Sequence, residues 1–512
     1  MTLSRRYGML LGVVAGVAGL AASELVSGWL HQRVSPLVAV AEGVIRLTPG
    51  ALIEPVIAVV GTNDKPFLIG LTVVAVVALS AVAGAVAMRS VLVAQCLFLL
   101  LGVIVLVAVW ARLTSSSTTY VPAIAGIVTS LVLVALLAPK AQAAVRPEGG
   151  HSVAGAPLEA SRRHFLVLAG VVGVGAVVAG GTGRFLANGR AAVEAARRKL
   201  RLPVRTAVTP QGTDLGVRGL EPWVTPQDRF YRIDTALAVP QILPENWELR
   251  VHGMVDRELT LTYQDLLDRG LEQAWVTLCC VSNPLGGDLI SNAEWSGVRI
   301  ADILAEAGVQ RGANAVKSTS EDGWTCGTPL AALTDDRNAL FAVAMNGEPL
   351  TPEHGFPVRM VVPGLYGYVS ATKWVVALEV TRFDDFAAFW TVRGWSQEGP
   401  VKTQSRVDVP REGANLSPGR VTIAGVAWAQ HRGIEKVEAR VGDGDWMTAT
   451  LGADPSVDTW VQWSVPWNAT VGDHDIAVRA TDKTGATQTA DVADVIPDGA
   501  TGWHTITVEV SE

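Results

Sequence analysis

Charge is scarce in this chain: 17% of its 512 residues are Asp, Glu, Lys or Arg, against 49% hydrophobic residues. So little charge, with a positive mean hydropathy, excludes a uniformly soluble protein, and the length excludes one ordinary domain. Cysteine is scarcer still. Of Cys96, Cys279, Cys280 and Cys326, the last three fall in the later part of the chain and two of them are adjacent. An odd, clustered set excludes the paired framework of disulfide-rich secreted scaffolds. Cys96 lies in an apolar run and reads as a small buried hydrophobe. The apolar runs also lack the paired histidines that a membrane haem b needs, so no haem is expected.

What is present is unevenly spread. Before residue 200 there are 16 Lys+Arg against 7 Asp+Glu, and after it 25 against 41, so the net charge of -7 is +9 and -16 added together. Fourteen of the 16 Trp lie in the second, acidic part, since only Trp29 and Trp110 precede it. That part is large enough to bury a core or more than one. Its charge excludes nucleic acid as a partner.

Apolar runs at 7–30, 67–87, 91–111, 120–138 and 165–182 each approach the ~20 residues needed to cross a bilayer, so five transmembrane helices are expected within residues 1–183. The stretch 36–60 carries Glu42, Arg46 and Glu54 among three prolines and is expected to lie in the interface or re-enter. Five spans place Arg5, Arg6, Arg89, Lys140, Arg146, Arg162 and Arg163 all in the cytoplasm. The expected location is therefore a multi-pass cell-membrane protein whose acidic, Trp-rich part is extracytoplasmic. The segment 161–170, SRRHFLVLAG, looks like an internal twin-arginine export signal retained as an anchor, with plain flanking charge as the alternative. Residues 184–221 read as a stem whose basic run, Arg190 to Arg201, could rest on anionic lipid headgroups.

From residue 222 strand-like stretches alternate with short amphipathic helices, an α+β pattern extending to about residue 400. Within it, AWVTLCCVSNPLGGDLISNAEW runs from an apolar strand through a Cys pair into a polar Gly-rich loop. By itself this is a site with one approachable thiolate or a buried structural Cys pair, and no CxxC or His cluster supports zinc. Four separated segments go further. CVSN at 280–283, MNGEPLTPEHGFPVRMVVPGLYG at 345–367, TKW at 372–374 and FYRID at 230–234 together resemble the sulfite oxidase family of molybdopterin enzymes.

The resemblance implies a molybdenum–molybdopterin cofactor with Cys280 as the sole protein thiolate to the metal. It implies cofactor contacts from Phe230, Tyr231, Arg232, Asn283, Asp322, His354, Arg359 and Lys373, with Arg232 and Trp324 beside the catalytic centre. His354, Arg359 and Lys373 are expected to offer charge-assisted contacts to a terminal phosphate and ring. Oxygen-atom transfer to or from a small oxo-anion, or an S- or N-oxide, is the implied reaction. Two departures bear on substrate. Trp324 stands where sulfite-oxidising members have a Tyr, and Pro284 and Leu285 replace arginines that usually follow the Cys segment. A sulfoxide or N-oxide reductase, or a binding protein that has lost its metal, are the alternatives. With no cytochrome b5-like domain, electrons are expected to pass through a separate partner.

Residues 401–512 hold short alternating runs split by turn residues and read as an immunoglobulin-like sandwich of about seven strands. Its place after the molybdenum domain resembles the family's dimerisation domain, so a homodimer is expected. The expected architecture is thus a helical transmembrane region, an α+β molybdopterin domain and a C-terminal β-sandwich.

Overall fold

The computed structural model describes residues 3–30, 35–48, 64–111, 117–145, 158–186 and 190–512. It divides into two compact units, Met1–Ala195 with Thr235–Gln241, and Ala196–Asp234 with Ile242–Glu512.

The first unit contains helices α1 (Leu3–Trp29), α2 (Pro36–Leu47), α3 (Asp64–Ala87), α4 (Val91–Trp110), α5 (Val121–Ala143) and α6 (Leu158–Leu186). Among the described residues, four apolar helices are long enough to cross a membrane: Ser4–Trp29, Phe67–Ala87, Val91–Trp110 and Thr118–Ala143. The fifth expected span falls on α6, whose described apolar run covers Phe165–Val178, the side chains beyond it lying outside the described residues. One face of α6 packs in the bundle, where Phe165 and Ala169 join Leu11, Ala15 and Val134 in one core.

Within this unit the helices approach through small residues. A Cβ on Gly84 would meet backbone atoms of Gly12 and Gly8, and one on Gly19 would strike Ser130. Lipid supplies no hydrophobic drive between helices, so close backbone contact and interhelical hydrogen bonds must hold them. Ser130 Oγ donates to the Ala15 carbonyl at 3.1 Å. Of the 36–60 stretch, α2 is a helix with a Ser35 cap and Pro36 in its first turn. Its Val38 and Ala41 pack with Leu237, and Glu42 is buried in protein rather than turned to lipid. The rest of that stretch, from residue 49, lies outside the described residues.

The second unit has four sheets. One sheet orders strands β1 (Glu248–Gly253), β2 (Leu259–Thr262), β5 (Ala315–Ser320), β6 (Thr325–Pro329) and β10 (Val375–Thr381) as β2-β1-β10-β5-β6. Another orders β3 (Glu272–Cys279), β4 (Ile290–Arg299), β7 (Leu340–Met345) and β8 (Glu348–Pro349) in sequence, with β9 (Arg359–Val361) on β7. Asn346 (φ 54°) and Gly347 (φ 79°) turn β7 into β8, as an Asn-Gly hairpin requires. The Asn346 side chain accepts from Glu294 N and donates to Thr225 O, tying this hairpin to β4.

Beyond residue 400 two further sheets form. β11 (Gln404–Val409), β13 (Gly419–Trp428), β17 (Val461–Ala469) and β16 (Thr450–Leu451) make one. β12 (Asn415–Leu416), β19 (His504–Val510), β18 (Gly472–Asp482), β14 (Ile434–Val441) and β15 (Met447–Thr448) make the other. Ile423 and Trp463 of one sheet share a core with Val437, Val478 and Ile506 of the other, so the two face each other. They also brace the α+β part: Trp223 and Trp460 exchange indole-to-carbonyl hydrogen bonds, and Trp460 N donates to Thr277 Oγ1 on β3.

The basic stem forms a short helix, α7 (Arg190–Lys199). Arg197 Nε donates to Pro349 O and Leu350 O at 3.1 and 2.9 Å, so this arginine caps carbonyls beside β8.

Candidate active site

β3 delivers the Cys pair. Cys279 pairs with Ile290 as the last rung of the β3–β4 ladder, and the chain then turns through residues 281–289 back into β4. The turn is self-closing. Cys280 N donates to Leu289 O, Asn283 N to Cys280 O, and Leu289 N to Asn283 Oδ1. Gly286 takes a left-handed conformation with φ 71° and lies against the His504 ring, where any Cβ would clash. Both thiols are buried, at 1% and 7% exposure. Cys279 Sγ points back to the Cys280 carbonyl, whereas Cys280 Sγ lies 3.5 Å from Ser282 Oγ. Burial pushes both thiols up, Cys279 the further because Cys280 is beside it.

The structure brings most of the expected residues together around this turn. Phe230 is buried, edge-on to Trp295 and His354 at 5.4 and 5.7 Å, and stacked on Tyr231. Tyr231 donates its backbone N–H to Ser291 Oγ. Its phenol is pushed well above the ordinary value by burial and by Cys280 and Cys279, while Arg359 opposes that shift. Arg359 lies over Trp295 at 5.0 Å and donates to the His354 carbonyl. Burial lowers Arg359 to about 10, so it remains a cation at neutral pH.

A cationic rim adjoins. Asp234 bridges Arg232 and Lys373, with 2.9 Å to each. Burial lowers Lys373 to about 8 against the opposing pull of Asp234. Trp374, held at the unusual φ of 50°, fixes the Lys373 backbone through Trp374 Nε1 to Pro352 O and Glu321 N to Trp374 O. Burial, then Arg359 and Lys373, push His354 down to about 3, so without an anion beside it the imidazole is neutral at neutral pH.

Asp322 and Trp324 lie on the hairpin joining β5 to β6. Asp322 Oδ1 accepts from Trp324 N at 3.1 Å, a turn-forming bond, and Trp324 is half-buried. The hairpin meets the rim through Glu321 and Trp374.

Two contributors carry no signal in the sequence. Arg406 on β11 donates to Gly287 O at 2.7 Å and pairs with Asp408, so a cation reaches the Cys turn although Pro284 and Leu285 occupy the usual arginine places. Its charge acts on Cys279. His504 on β19 accepts from Val407 N and walls the same turn. Both come from more than a hundred residues downstream, and no local pattern marks them.

The donor set can be tested against the molybdenum cofactor. Among the described residues no group of three or more His, Cys, Asp or Glu could hold a metal ion. That fits a metal that takes one protein thiolate and has its remaining ligands supplied by an organic dithiolene. Asn283 Nδ2 is buried with no hydrogen-bond partner, and Arg232, Arg359 and Lys373 outnumber the single carboxylate Asp234 bridging two of them. A buried spare donor and excess positive charge suit an anionic, acceptor-rich ligand.

The fold and site thus define an oxidoreductase domain of the molybdopterin-binding class. The oxidoreductase molybdopterin-binding domain family matches residues 236–390. An uncharacterized oxidoreductase of Bacillus subtilis, YuiH, is 38% identical over 153 residues, 30% of this chain and 74% of that protein. Sulfite oxidase of Gallus gallus is 30% identical over 298 residues, covering 49% of this chain and 64% of the enzyme. Among solved structures, the sulfane dehydrogenase SoxCD of Paracoccus pantotrophus superimposes with a TM-score of 0.48 at 22% identity over 56% of this chain and 82% of that one. This chain belongs to the sulfite oxidase family of molybdopterin-dependent oxidoreductases. It spans about two thirds of the length of the chicken enzyme, and half of the human mitochondrial one.

Proposed function

We propose that the chain is a membrane-anchored enzyme that oxidises a small sulfite-like oxo-anion by oxygen-atom transfer, with its catalytic domain outside the cytoplasm. The observation that carries this reading is the buried Cys279–Cys280 turn near Tyr231, with Arg359 beside it and the Arg232–Lys373 rim adjoining. When bound, the molybdenum cofactor supplies two-electron oxygen-atom chemistry. The protein's part is to hold and orient it. Cys280 would provide the thiolate, while Arg359, Lys373 and His354 would hold the phosphate and ring, with Phe230, Tyr231, Asn283 and Asp322 shaping the cradle. Arg232, 41% exposed in its side chain, is placed to meet a substrate anion. Trp324 offers one indole N–H, and the Tyr231 phenol supplies the hydroxyl that Trp324 lacks.

Electrons leave to a separate partner, and the β-sandwich, immunoglobulin-like in this reading, is the surface for a homodimer. The decisive experiment purifies the full chain from a molybdenum-replete host. About one molybdenum per chain is expected, with turnover of sulfite and an artificial acceptor. Turnover only of sulfoxides or N-oxides with artificial donors would reverse the direction, and absence of metal would end the proposal.

Sidedness has its own test. The pair Arg162 and Arg163 on α6 is read as an export signal for a domain that folds around its cofactor first. Arg162→Lys with Arg163→Lys keeps the charge and is expected to leave the domain inaccessible to external protease. A domain still cleaved from outside and carrying molybdenum reduces the pair to flanking charge.

A further inference from the structure

We infer that the helix bundle holds a neutral, lipid-soluble quinone, a two-electron, two-proton carrier of the kind the chemistry proposed above requires. The inference rests on that reading only for the direction of electron flow. A cavity of about 350 Å³ lies among α1, α2, α3, α4 and α5. None of its lining residues is Asp, Glu, Lys, Arg or His, which excludes an ionic ligand. Its volume is at the lower end of the ~300–1,000 Å³ of ligand pockets, enough for one substituted ring.

Four hydroxyls interrupt the aliphatic lining: Ser23 on α1, Thr72 and Ser80 on α3, and Ser130 on α5. Two are committed to backbone, Thr72 Oγ1 to Leu68 O and Ser130 Oγ to Ala15 O. Ser23 and Ser80 are 7% and 1% exposed, and no hydrogen bond among the described residues engages their hydroxyls. Buried donors on two helices beside a small apolar cavity suit a flat ring bearing carbonyl oxygens at both ends. An acyl chain needs no donor at all. The cavity also has a mouth. Val44, Leu71, Leu79 and Ile104 line it and are 44–52% exposed on the bundle surface. In a bilayer that face meets acyl chains, the phase in which a quinone is dissolved.

The electron balance closes. Substrate and water give oxygenated product, two protons and two electrons, and the quinone takes two electrons and two protons to leave as quinol.

The test uses the full chain in lipid nanodiscs with decyl-ubiquinone as probe. Saturable binding near one per chain is expected. Ala75→Trp, which fills the cavity from an exposed position on its wall, is expected to weaken binding at least tenfold, whereas Val171→Trp on the exposed face of α6 should not. An azido-quinone should cross-link to α3 or α4 of the unaltered chain, a readout independent of how variants fold. Absence of saturable binding, equal affinity in Ala75→Trp, or phospholipid retained in the cavity and not displaced by the probe would each overturn the inference. Failure is separable from that of the catalytic reading. Turnover with a water-soluble acceptor but no quinone binding removes only the inference, and quinone binding without such turnover removes only the proposed reaction.

Discussion

The two units solve the same packing problem with opposite residues. In the bundle, glycine, alanine and serine bring backbones together: Gly12 against Gly84, Gly19 against Gly126 and Ser130. In the sheet-rich unit seven tryptophans are fully buried, among them Trp223, Trp295, Trp374, Trp460 and Trp463. The solvent explains the contrast. Removing an indole from water contributes several kcal/mol, but moving one from lipid into a helix interface contributes little, so close approach becomes the main source of cohesion. The aromatic unit is accordingly the one that can hold cations such as Arg359 in a dry, polarisable frame.

The sharpest way to break the contrast is at the metal. Cys280→Ser should reduce turnover to background and metal content to near zero, since a hydroxyl is a poor substitute for a soft thiolate. Cys279→Ser should keep metal and much of the rate, because its thiol turns to a backbone carbonyl. Equal losses in the two variants would contradict the assignment.

Next in size are paired packing variants. Trp463→Ala should destabilise the sheet-rich unit by about 3–5 kcal/mol without disturbing the bundle. Gly84→Leu should loosen the bundle by about 1–3 kcal/mol without lowering molybdenum content. Differential scanning calorimetry with metal analysis distinguishes them. A common transition shifted equally by both variants would show that the units do not unfold independently.

The smallest expected effect is on pH. Lys373 has its folded pKa lowered to about 8, against ~10.4 in an unfolded chain. Below pH 8 it is cationic and can hold an anion; as pH rises through 8 that charge is lost in the folded protein first. Cofactor retention on dialysis should therefore weaken by about fivefold between pH 8 and 9, approaching one decade per unit beyond. In the same interval the unfolded chain binds more protons, so the fold without a bound anion gains stability as pH rises. Lys373→Met should flatten both profiles.

Much of the site was legible before any coordinates. FYRID, CVSN, HGFPVR and TKW each carry short-range chemistry, and the structure assembles Tyr231, Cys280, His354, Arg359 and Lys373 where one ligand could meet them. What the motifs leave open is decided by neighbours. The charge state of His354 depends on its burial and on Arg359 and Lys373 beside it. Which face of the 165–182 run is buried depends on its packing in the bundle. Glycines spaced four apart in α1, Gly8, Gly12 and Gly16, were a readable signal for helix contact.

By itself, the sequence determined the division into an apolar, basic part and an acidic, Trp-rich part, the α+β pattern, the Cys turn and the family. These depend on composition and on contacts within a few residues. Only the tertiary structure decided that Arg406 and His504 brace the Cys turn, that Asp234 joins Arg232 to Lys373, and that the bundle encloses a hydroxyl-bearing cavity. Such arrangements come from residues separated by up to some two hundred positions, and their energies depend on burial and mutual charge, which no local pattern encodes.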